Sequence, residues 1–153
     1  MIKVNVLSEE KSWAQKIRKK EIFFNQICRH FPKKFRFTDK KVYFTLLLSN
    51  NKNIQKLNKK FRKKNKHTDV LSFPFQKNLK NFKEIYLGDI IISLNYMNKP
   101  KNLTNHDFKE KVTKIFIHGF LHLLDFNHVK KKEYQLMFHE EQKIFRSVKK
   151  VLI

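Results

Sequence analysis

Residues 105–128 read NHDFKEKVTKIFIHGFLHLLDFNH. From about Asn105 to Leu124 the apolar residues recur at helical spacing. In the second half they cover almost the whole circumference, with Ile115, Phe116, Ile117, Phe120, Leu121, Leu123 and Leu124. A helix apolar all round is covered on every side, so this segment is predicted to be the buried centre of the fold. Set into it are His118 and His122, four residues apart and therefore on one face, a turn from each other. His128 follows six residues later, beyond the point where the helix must turn.

A buried helix needs a sheet to lie on. KVYFTLLLS (41–49) is a β-rich, nearly continuous apolar run and predicts a buried strand. DVLSFPF (69–75) and LGDIIISL (87–94) read as two more strands, and IKVNVL (2–7) alternates like another. Gly88, at the head of its strand, predicts a bulge or a close backbone approach. A helix is expected from about Glu9 to His30, with Ser8 as its N-cap and Glu9 and Glu10 suited to its dipole. The Phe31-Pro32 pair ends it. A short helix carries Ile54, Leu57 and Phe61, and an amphipathic one from Lys131 to Val148 carries Tyr134, Met137, Phe138, Ile144 and Phe145. No repeat or linker divides the 153 residues, which suffice for one core. The expectation is a single α/β (α+β) domain spanning 1–153, one mixed sheet packed against helices.

Composition narrows the function. The chain has 35 Lys and Arg against 13 Asp and Glu, a formal charge of +22, which attracts polyanions such as nucleic acid. Lys, Asn, Ile and Phe are also the residues of A/T-rich codons, and only five of the cations are arginine, so charge is a supporting argument only. The one cysteine, Cys28, excludes a disulfide framework and reads as a core thiol. The N-terminus, MIKVNVLSEEKSW, has acids where a secretory signal has its apolar stretch. The longest apolar runs are too short to span a bilayer. A cytoplasmic protein without a membrane partner is expected.

Three imidazoles at the spacing of His118, His122 and His128 suit a zinc ion, and three protein ligands leave a fourth position open for chemistry. The spacing is that of the extended zinc-peptidase signature, H-E-x-x-H-x-x-G-x-x-H. Gly119 stands where that signature has the glutamate that serves as general base, so peptidase activity of the usual kind is not expected.

The segment HGFLHLLDFNH (118–128) resembles the YbeY endoribonucleases, whose pattern reads H-G-x-L-H-L-x-G-Y-D-H. LNKKFR (57–62), TDVLSFPF (68–75), LGDIIIS (87–93) and the pair Met137 and Glu141 look like the family's other motifs, in the same order. Asp125, Phe126 and Asn127 stand where the pattern has Gly, Tyr and Asp, and the chain is expected to turn at Asp125 with positive φ. Asn127 keeps a side-chain oxygen that can accept a hydrogen bond. His67 replaces a proline.

The resemblance implies a single-strand-specific metallo-endoribonuclease that matures the 3′ end of small-subunit ribosomal RNA and takes part in ribosome quality control. Its partners would be single-stranded and ribosomal RNA and the ribosome, with no DNA. It implies one Zn2+ on His118, His122 and His128, and a functional role for Arg62. A guanidinium there can grip two phosphate oxygens as negative charge builds on them. The reaction is then hydrolysis or internal transesterification of a phosphodiester, with the lysines around Arg62 as a basic rim. Two other readings compete: a non-catalytic, zinc-stabilised RNA-binding protein, and a zinc peptidase. Asp69 and Ser72 are read as local hydrogen-bonding residues, and His30, His106 and His139, outside the cluster, as ordinary histidines.

Overall fold

Strand β2 (Lys41–Ser49) is the apolar run KVYFTLLLS, and it is apolar because both of its faces are used. Val42, Phe44, Leu46 and Leu48 point into the main core, while Leu47 packs into a smaller cluster on the other face of the sheet. β2 is flanked in parallel by β1 (Ile2–Ser8) and β4 (Glu84–Ser93). β3 (Val70–Pro74) pairs antiparallel with β4, completing one mixed sheet in the order β1-β2-β4-β3. The computed structural model describes residues 1–75 and 83–152. The expected α+β architecture is what it has.

β4 begins three residues before the expected Leu87, and Gly88 lies in its middle. Tyr43 pairs with Tyr86 and Thr45 with Asp89, so one residue of β2 opposes two of β4 at Leu87-Gly88. This bulge switches the inward parity of β4: Ile85 and Leu87 face the main core before it, Ile90 and Ile92 after it. Gly88 has φ +136°, and a Cβ there would stand 2.1 Å from the carbonyl oxygen of Phe73. Only glycine fits.

The helices cover the sheet unequally. α3 (Asn51–Arg62) is capped by Asn50, whose Oδ1 accepts from the Asn53 N–H at 2.9 Å. It buries Ile54 against Leu71 and Ile91, whereas Phe61 is exposed at its far end. On the opposite face lie α2 (Lys20–Arg29) and α5 (Asn105–Leu123), which enclose the main core. Phe116 and Phe120 of α5 pack on Phe44 of β2, with centroids 5.8 and 5.6 Å apart. Thr104 caps α5 by accepting from the Asp107 N–H. α6 (Lys131–Val148) joins the core through Met137, Ile144 and Val148, while Tyr134 and Phe138 stack on each other half-exposed. No helix among the described residues is long and apolar enough to cross a membrane.

The single helix expected from Glu9 to His30 is two. α1 (Trp13–Lys16) stops at Ile17, which is extended, and α2 restarts at Lys20. Ser8 ends β1 instead of capping a helix. Trp13, Ile17, Phe24 and Ile27 do lie at helical spacing, but the link in that stripe falls on Lys20 and Glu21, which have no place in the core. α1 instead follows Trp13, whose indole N–H donates to the Ser49 carbonyl at 2.9 Å. α2 follows the edge of β1: Asn25 accepts from the Val4 N–H and donates to the Val4 carbonyl. That pairing satisfies backbone groups on an otherwise open edge.

α5 meets the sheet at Gly119, where a Cβ would lie 2.9 Å from Ile90 Cγ2 and 3.2 Å from Ser72 Oγ. Gly88→Ala is expected to cost about 3 kcal/mol or more, since it adds a backbone clash to strained dihedrals. Gly119→Ala meets only side chains and is expected to cost about 1–3 kcal/mol. Urea unfolding of both variants checks the order; a Gly119→Ala cost exceeding that of Gly88→Ala would contradict it.

Candidate metal centre

The last turn of α5 builds the site. His118 and His122 share a face, and their rings meet edge-on with centroids 4.6 Å apart. The helix then closes in a Schellman turn: the Phe126 N–H donates to the Leu121 carbonyl and the Asp125 N–H to that of His122, both at 3.0 Å. Asp125 takes the left-handed position with φ 67°, as the sequence predicts, and Phe126 folds back onto the core. The reversal brings His128 over the pair, its ring 5.4 Å from that of His118 and 4.9 Å from that of His122. Asn127 holds this loop with its side-chain oxygen, which accepts from the N–H of His128 at 2.7 Å and of Val129 at 3.2 Å.

The hydrogen bonds dictate where the lone pairs point. His118 Nδ1 faces the carboxylate of Glu141, and His122 Nδ1 faces the carbonyl oxygen of Phe126, each at 2.9 Å. Both partners only accept, so both Nδ1 atoms carry protons. In neutral rings each Nε2 is then a bare lone pair, yet the two Nε2 atoms stand 3.1 Å apart. Two lone pairs at that distance repel, and a cation between them removes the conflict. A proton satisfies two nitrogens. A metal ion satisfies three, and one nitrogen from each of the three histidines lies within 4.8 Å of the others. Burial, reinforced by His118, pushes the pKa of His122 down to about 4, so it is a neutral donor near pH 7.

Among the described residues one other group has metal-like spacing, His106, Asp107 and Glu110. It lies on the first turns of α5, with His106 and Asp107 exposed and Glu110 paired to Lys114 at 3.2 Å. His30 donates from Nδ1 to the Gln26 carbonyl at 2.9 Å, within its own helix end. Cys28 is fully buried, and burial raises its thiol pKa, as expected of an inert core cysteine.

The three histidines open onto a cleft of about 660 Å³, which Arg62, Thr68, Asp69, Ser72, Asn127 and others also line. Arg62 is exposed at the end of α3, and among the described residues its side chain has no acidic partner. Asn58, two percent exposed, anchors the segment after Arg62 by donating from Nδ2 to the Lys66 carbonyl at 2.9 Å. Asp69 accepts from the Val70 N–H, a local role as expected. Ser72 has a longer reach, donating to the Gly119 carbonyl at 3.0 Å and tying β3 to α5. Position 119 therefore faces the seam between helix and sheet, where a peptidase-type glutamate has no room. Asn58 and Glu141 are the site-supporting residues that sequence reasoning left without a role; a polar side chain in an apolar stripe was the available signal.

The sequence matches the family described as Endoribonuclease YbeY over residues 6–149, which reaches into β1 and covers almost the whole chain. It is 56% identical over 149 residues to the protein named Endoribonuclease YbeY of Pelagibacter ubique (strain HTCC1062), spanning 97% of each chain. The like-named protein of Ehrlichia canis (strain Jake) is 36% identical over 144 residues, spanning 94% of this chain and 90% of the relative. The fold is also that of TM1509 from Thermotoga maritima, solved in solution: TM-score 0.55 at 24% identity, covering 97% of this chain and 89% of that one. Its own histidine turn and near-full-length kinship together make this chain a member of the YbeY endoribonuclease family.

Proposed function

We propose that residues 1–153 form one metal-dependent endoribonuclease domain that cuts single-stranded RNA. Its cellular task is 3′-end maturation of small-subunit ribosomal RNA and ribosome quality control, carried out in the cytoplasm on the ribosome. The observation that carries the reading is the convergence of three imidazoles in a cleft that also holds Arg62, an arginine with no acidic partner among the described residues. The relatives' name, Endoribonuclease, supports the reaction class.

His118, His122 and His128 hold the metal, and the all-imidazole donor set favours Zn2+. When bound, the ion supplies Lewis acidity toward a phosphodiester oxygen. Uncharged ligands leave its full charge facing the cleft, which favours an anionic substrate. Arg62 binds non-bridging phosphate oxygens in two-pronged fashion and stabilises the charge that builds there. Lys59, Lys60, Lys63, Lys64 and Lys66, all exposed around it, draw in the RNA backbone. An unpaired strand can bend into the cleft with its phosphate inward, whereas a stiff duplex cannot.

Incubation with single-stranded RNA, duplex RNA and casein, with and without a chelator, tests this. Chelator-sensitive cutting of the single strand alone is expected. Arg62→Ala should lower its rate roughly 10²–10³-fold at unchanged metal content, and His118→Ala should lose the metal as well. Tightly bound but intact RNA would favour the binding module instead, and cut casein the peptidase.

The depressed pKa of His122 also fixes a pH dependence. Its folded value of about 4 lies below the ordinary 6.5, so the unfolded chain takes up the proton more readily. Stability of the metal-free protein should therefore be fully present above about pH 6.5 and decline as pH falls toward 4. Thermal midpoints across that range should drop less in His122→Asn than in the parent protein; equal slopes would contradict the assignment.

A further inference from the structure

α6 buries Met137, Glu140, Ile144 and Val148, and Glu141, partly buried, lies four residues after Met137 and three before Ile144, at the edge of the same face. Glu140, the more deeply buried of the two, is neutralised by Lys34 at 2.8 Å. Among the described residues Glu141 has no lysine or arginine partner. In a chain with 35 Lys and Arg, its carboxylate is paired among the described residues with His118 alone, at 2.9 Å. Both side chains are about three-quarters shielded from solvent. A charge on the inward face of a helix, in a strongly basic protein, is held for that imidazole.

We propose that Glu141 is a positioning residue for the metal centre, fixing His118 in the Nδ1–H tautomer so that Nε2 presents its lone pair to the ion. The proposal rests on the reading of His118, His122 and His128 as ligands. His118 donates from Nδ1, and its Nε2 lies 3.1 Å from that of His122. His122 is held the same way by the Phe126 carbonyl, a backbone group built into the turn. Only the first of these anchors is a side chain, and it comes from a different helix, 23 residues further on. A carboxylate behind a ligating histidine also makes it a stronger donor by sharing negative charge through the N–H. α6 thereby links its own docking to the affinity of the site: the metal is gripped by α5 and the loop, and the grip is set by α6.

The test is metal affinity of the full-length protein, measured by competition with a chromophoric zinc chelator, in wild type, Glu141→Ala, Glu141→Gln and His118→Ala. Glu141→Ala should bind zinc about 10–100-fold more weakly. Glu141→Gln, which keeps the shape and can still accept through its amide oxygen, should fall between it and wild type. Nitrogen-15 spectra of the zinc-loaded proteins should place the His118 proton on Nδ1 in wild type, with that signal weakened or lost in Glu141→Ala. Should Glu141→Ala fail to fold, Glu141→Gln decides by the same two readouts. Wild-type affinity in both Glu141 variants, with His118→Ala binding no zinc, would overturn this proposal and leave the ligand set standing. A wild-type protein that binds no zinc would overturn both.

Discussion

The contact on which the rest depends is the seam between α5 and the sheet at Gly119. With no side chain there, the helix lies close enough for Ser72 to reach the Gly119 carbonyl and for Ile90 to fill the space against the helix. The neighbouring positions 118 and 122 are thereby rotated off the seam and into the cleft, half-shielded but open to it. The aromatic packing of Phe44 against Phe116 and Phe120 holds the same helix from the core side. A bulky residue at 119 would push the helix off the sheet and carry His118 and His122 with it.

The second constraint is electrostatic. The turn that ends α5 directs the Phe126 carbonyl at one imidazole, and α6 directs a carboxylate at the other. Both rings are thus held with their bare nitrogens facing inward, an arrangement at odds with itself until a cation enters. Around this centre the chain carries a net charge of +22, so the field beyond the cleft draws in polyanions regardless of sequence. In the proposed function, a metal on the three histidines and Arg62 would provide what diffuse charge cannot, a defined position for one phosphate.

Much of this was legible in the sequence where the information is local. The helix in 105–124, the strand 41–49 and the helix 131–148 all form where the sequence places them, because local pattern sets each element's type. Gly88 marked the bulge, and Asp125 the left-handed turn, because few residues tolerate those dihedrals. The helix expected over Glu9–His30 was not legible as two, since its break is decided by where Trp13 finds the Ser49 carbonyl and Asn25 finds the edge of β1. Periodicity likewise missed that Phe61, Tyr134 and Phe138 stay at least half exposed. The partnership of His118 with Glu141 depends on how two helices dock, which spacing along the chain cannot reveal.

X-ray absorption on the zinc-loaded protein tests whether His118, His122 and His128 together hold one ion. One zinc per chain is expected, with three imidazole nitrogens at about 2.0–2.1 Å and a light-atom fourth ligand. A zinc-to-protein ratio near zero, or a shell of oxygen atoms without imidazole scattering, would contradict it.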